Sequence, residues 1–116
     1  MPIDIVDRQI EKAELSKWVI KGRFGSLVKA VVDIKRAVMI VGGGLHSDEE
    51  EVLLEQGSQQ QDLWGINLYP EMSGEELIEF DSMINLRPSQ GNDTRSVDDP
   101  VIRQKITEIV KALIKE

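Results

Sequence analysis

The chain has 116 residues, 41% of them hydrophobic and 30% charged, with no cysteine and one histidine. That is the composition of one ordinary globular domain with a single core, and it excludes a disulfide framework, a thiol nucleophile, a thiolate metal site and a paired-histidine metal site. The net charge of -7 is uneven, because residues 37–99 hold 2 Lys/Arg against 14 Asp/Glu while both flanking segments are net basic. Such a surface repels phosphate backbones, so no nucleic-acid partner is expected.

No apolar run approaches the roughly 18 residues needed to cross a bilayer. The opening Met1-Pro-Ile-Asp-Ile-Val6 lacks the basic start and apolar middle of a secretion signal. A cytoplasmic protein without a membrane partner is expected.

Taken in order, Ile3, Ile5 and Val6 predict a short first strand. Over residues 11–21, Leu15, Trp18 and Val19 keep helical spacing, with Gly22 where a left-handed C-cap would stand. Residues 23–26 read as a loop. Val28, Ala30, Val32 and Ile34 then alternate with Lys29, Val31 and Asp33, the period of a half-buried strand. Residues 33–36 read as a hairpin connection to a strand at residues 37–41, apolar on both faces and therefore central and covered on each side.

Coverage requires helices. One is predicted to begin at Ser47 as N-cap, with Glu50 completing a capping box, acidic residues suiting the positive end of the dipole, and Gly57 ending it. Trp64, Ile66 and Leu68 share one strand face and Gly65, Asn67 and Tyr69 the other. Read with the same period, Ile78, Phe80, Ile84 and Leu86 form one face and Glu79, Asp81, Met83, Asn85 and Arg87 the opposite, polar one. Residues 88–99 form a long loop, of the kind that is commonly functional or mobile. Asp99 as N-cap and Pro100 at N1 open a last helix whose stripe is Ile102, Ile106, Ile109, Val110 and Leu113. The class is α+β: a mostly antiparallel sheet of four or five strands with three helices in a single domain.

No established catalytic, metal or cofactor motif is present, so the candidate residues are read one by one. Gly42-Gly43-Gly44 lies between a strand and a helix, but lacks both phosphate-loop patterns and fits better as backbone needing positive φ or close approach. His46 is the one side chain that titrates near neutrality; as a base it needs an orienting carboxylate, for which Asp48, Glu49 or Asp81 is available. Asp81 and Glu79 are paired carboxylates on one predicted face. In the acidic middle block the only cations are Arg87 and Arg95, each able to grip a carboxylate or phosphate or to pair with a nearby acid. Asn67, Asn85, Gln90 and Asn92 add amides to the same face and loop.

The strings Gly42-Gly-Gly-Leu-His46, Asp62-Leu-Trp-Gly-Ile-Asn-Leu-Tyr-Pro70 and Glu79-Phe-Asp-Ser-Met-Ile-Asn-Leu-Arg-Pro-Ser-Gln-Gly-Asn92 resemble those of a family of small prokaryotic proteins catalogued as a domain of unknown function. The resemblance runs from about Leu27 to the last helix and departs at Gly44, where the family carries an acidic residue. It implies a prokaryotic single-domain protein and brings no activity. Two functions therefore fit the residues. In the first, Asn67, Asn85, Arg87, Gln90, Asn92 and Arg95 bind a small polar or anionic ligand, with His46 as the acid/base candidate and Asp81 as a second catalytic candidate. In the second, the chain is a homodimeric interaction or structural module and the polar network only holds the long loop.

Overall fold

A computed structural model of the chain describes residues 3–22 and 25–116. In chain order the elements are β1 (Asp4–Val6), β2 (Ile10–Glu11), a 3₁₀ helix (Lys12–Trp18), β3 (Ile20–Gly22), β4 (Gly25–Asp33), β5 (Val38–Val41), α1 (His46–Glu55), β6 (Leu63–Leu68), β7 (Ile78–Glu79), α2 (Pro100–Leu113) and β8 (Ile114–Lys115), with four shorter 3₁₀ segments between β6 and α2 or just before β6. The main sheet is antiparallel in the order β1-β5-β4-β6-β7, with β3 paired to the start of β4. β2 and β8 make a separate parallel pair.

Period-two alternation sorts the sheet residues into two covered faces. Val28, Ala30 and Val32 of β4, Met39 and Val41 of β5, and Trp64, Ile66 and Leu68 of β6 pack with Leu15, Trp18 and the α2 residues Ile106, Val110 and Leu113. The opposite face is smaller: Val31, Ile40 and Leu63 meet Leu53 of α1, with Ile84 packed alongside. Cover on both sides makes β4 more buried than a half-solvated strand. The α+β class, the antiparallel sheet and the α2 stripe follow the sequence reading, and Asp99 caps α2 by accepting from the Val101 N–H at 2.8 Å.

Five expectations are corrected. The helix over residues 11–21 is instead the seven-residue 3₁₀ helix, closed by reciprocal bonds between Glu11 and Glu14, after which the chain enters the sheet as β3. Gly22 is not a C-cap; a Cβ there would collide with the Leu27 side chain, so the glycine permits β3 and β4 to approach. Of the predicted loop, Arg23 and Phe24 lie outside the described residues, and Gly25 and Ser26 already belong to β4.

The Ser47–Glu50 capping box does not form, because α1 starts earlier, with Leu45 as an N-cap that makes no side-chain bond. Finally, the strand expected across residues 78–87 ends at Glu79. Residues Met83–Asn85 turn as a 3₁₀ segment, the Ser82 Oγ accepting from the Ile84 N–H at 3.3 Å, and Met83 and Leu86 are left exposed. What replaces the lost ladder is the Asn85 side chain: its Oδ1 accepts from the Gly65 N–H at 2.8 Å and its Nδ2 donates to the Gly65 carbonyl at 2.9 Å. Gly65 makes room for this segment, since a Cβ would sit 2.6 Å from the Ser82 Cβ.

Candidate functional site

On the α1 side of the sheet the apolar contacts stop short of one end, and a polar row replaces them. Strand register sets Lys29 of β4 opposite Asn67 of β6, and Asn67 opposite Glu79 of β7. Cross-strand partners share a face, and at about 4.8 Å per strand the row is roughly 10 Å long. His46, Asp81 and Arg95 lie beside it. Together with Lys21, Leu27 and Tyr69 these residues line an open groove of about 600 Å³, within the size range of small-molecule sites.

His46 Nε2 lies 2.8 Å from the Ile66 carbonyl. A carbonyl only accepts, so Nε2 carries the hydrogen and Nδ1 keeps its lone pair. Burial holds the imidazole pKa below its usual 6.5; the Ile66 bond opposes this, the Lys29 charge adds to it, and Asp81 pulls the other way. The ring is therefore neutral at pH 7.

Asn67 is 6% exposed, and its Nδ2 donates to Glu79 Oε1 at 2.8 Å and to the Asp81 carbonyl at 3.2 Å. Two acceptors on one side fix which end of the amide is nitrogen. The Oδ1 is left buried without a hydrogen-bond donor among the described residues. Glu79 Oε1 also accepts from the Tyr69 hydroxyl at 2.9 Å; desolvation, then the Glu79 bond and charge, push the phenol pKa up to about 12. Asp81 Oδ1 accepts from Arg95 Nε at 2.8 Å, both side chains about half exposed.

Behind the groove, Glu49 is fully buried. Its Oε2 accepts the Gly43 N–H at 3.0 Å and its Oε1 has no partner. Burial raises its pKa to about 9 against the opposing Gly43 bond and Lys29 charge, so the carboxyl is protonated at neutral pH. The glycine run thus works through backbone geometry: Gly42 has φ of +94°, and a Cβ on Gly43 would lie 2.6 Å from Glu49 Cγ.

Of the residues singled out from sequence, the groove brings together His46, Asn67, Glu79, Asp81 and Arg95. It does not include Asn85, Arg87, Gln90 or Asn92, whose bonding groups are engaged by the protein itself. Asn85 is committed to Gly65 and to the Arg95 carbonyl. Arg87 donates to the carbonyls of Ile84, Gln60 and Leu63, lies 3.9 Å from Glu50, and covers the Trp64 ring at 4.6 Å. Gln90 donates to the Gln61 carbonyl. Asn92 donates to the carbonyls of Asn85, Thr94 and Ser96 and accepts the Asp98 N–H.

Lys29 is the groove cation on the polar row, and the sequence pattern assigns it only a place on a strand face. Its neighbours on the same face of β4, Val31 and Asp33, are buried. Among the described residues it makes no ion pair, no group of three or more His, Cys, Asp or Glu is placed to hold a metal ion, and no helix is long and apolar enough to cross a membrane.

No curated protein and no solved structure matches the chain. A family described as "Protein of unknown function (DUF5674)" matches residues 4–113, nearly the whole sequence, and the chain belongs to that family.

Proposed function

We propose that the groove binds a small polar or anionic molecule, with Lys29 as its main cation and Arg95, held by Asp81, at its rim. The observation that supports this is that Lys29 makes no ion pair among the described residues and stands beside a neutral histidine in a concave site. A lysine taken partly out of water without a counter-ion loses solvation that a ligand anion would restore. His46 Nδ1 supplies a base within the same hollow, and Lys29 would stabilise negative charge developing as a bound group gives up its proton. Asn85, Arg87, Gln90 and Asn92 serve this site indirectly, by fixing the segment that carries Asp81 and Arg95.

Titrating propionate, glycolate and inorganic phosphate into labelled protein, followed by amide NMR, tests the reading. At least one anion shifts groove resonances saturably and binds Lys29→Met about tenfold more weakly or worse, the loss of one charge-assisted contact. Absence of saturable binding by all three, or equal binding by Lys29→Met, overturns it.

A further inference from the structure

We infer that the molecule this groove accepts is a zwitterion, an amino acid or a similar compound with an ammonium and an acidic group, lying along the Lys29–Asn67–Glu79 row. The inference rests on the anion reading above and adds the second charge. Three observations carry it. First, the row has a cation at one end and a carboxylate at the other, and the two do not pair, because Asn67 stands between them in register. Glu79 makes no ion pair with any described cation although Lys21 and Lys29 line the same groove.

Second, among the described residues Glu79 is held by neutral donors only. Asn67 and Tyr69 both donate to its Oε1, which orients the carboxylate without neutralising it and, among the described residues, leaves Oε2 without a protein hydrogen bond. A carboxylate fixed this way is an acceptor for an ammonium group. Third, the amide between the charges is incomplete: Asn67, nine-tenths buried, has both Nδ2 bonds made and, among the described residues, no donor on Oδ1. Because Nδ2 faces Glu79, the donorless oxygen lies at the other end of the amide; what answers the Glu79 end is an ammonium on Oε2, whereas an anion alone would answer only the Lys29 end. The Arg95–Asp81 pair is closed on itself and adds little net charge at either end.

Calorimetric titration of glycine, β-alanine and γ-aminobutyrate against acetate, propionate and butyrate isolates the amine. Each pair has the same carbon chain and carboxylate. At least one amino acid binds wild type about tenfold more tightly than its amine-free partner. That advantage vanishes in Glu79→Gln, which keeps an oxygen to accept from Asn67 and Tyr69 and so preserves the wall of the groove, while the affinity of the plain carboxylate is unchanged or improved. If carboxylates bind and the amine brings no gain, or the gain survives Glu79→Gln, the zwitterion inference is overturned and the anion reading stands. If neither series binds saturably, the zwitterion inference is overturned, and the anion reading falls with it when glycolate and phosphate also fail to bind.

Discussion

The side-chain amide of Asn85 is bonded at both ends to the backbone of Gly65, accepting its N–H at 2.8 Å and donating to its carbonyl at 2.9 Å. A single side chain thereby stands in for the strand that would have continued β7, and its Nδ2 also donates to the Arg95 carbonyl. Asn85→Asp keeps the shape and replaces the donor by a buried carboxylate, leaving two carbonyls without their partner. A loss of about 2–4 kcal/mol is expected, read as a lower urea midpoint at unchanged slope.

Gly65 is needed for the same junction. The Cβ of Gly65→Ala would meet Ser82, itself buried and pinned by its N–H bond to the Arg95 carbonyl. Overpacking against a segment that cannot retreat destabilises by about 1–3 kcal/mol. Because the displaced segment carries Asp81, amide shifts in Gly65→Ala concentrate at the groove rim.

Glu49 makes stability depend on pH in an unusual direction. Its folded pKa of about 9 lies above its ordinary 4.5, so over that window the native state holds a proton that the unfolded chain releases. Its contribution to stability therefore falls as pH rises through the window, and is neutral below it. The burden is on the order of 3 kcal/mol at pH 7, an upper bound. Glu49→Gln, neutral at all pH, is expected to gain stability over wild type at about pH 8 and to lose most of that gain at about pH 5, measured by urea unfolding at each.

Arg87 is a staple whose planar fork reaches three carbonyls at once. Lysine carries the charge without that geometry, so Arg87→Lys is expected to destabilise by about 2–3 kcal/mol, and Arg87→Met by more, since it also leaves Glu50 buried without its counter-ion. Neither variant removes a groove contact. Ligand affinity, measured below the melting transition, should change less than it does in Lys29→Met.

Much of this architecture can be read from local pattern. Alternation placed Trp64, Ile66 and Leu68 on one face and Asn67 on the other, and the Asp99-Pro100 start fixed α2, because in both cases short-range preference and burial agree. The segment after Glu79 was misread since its alternation of Ile78, Phe80, Ile84 and Leu86 is that of a strand, and nothing local announces that Asn85 will satisfy Gly65 from across the chain. The same long-range bonding explains the site. Asn, Gln and Arg side chains near one another in sequence look alike whether they face a ligand or a carbonyl; only the fold separates Asn67 and Arg95, which line the groove, from Asn85, Arg87, Gln90 and Asn92, which do not. Lys29 carries no local mark of its place in the groove, because a lysine in a strand is usually solvated.

The most direct test is an NMR pH titration of His46, whose signals need no assignment because it is the chain's single histidine. In the free protein the midpoint lies below 6.5, as burial and Lys29 require, and a saturating small anion seated at Lys29 raises it. A midpoint at or above 6.5 that propionate, glycolate and phosphate all leave unmoved would contradict a ligand site built around Lys29 and His46.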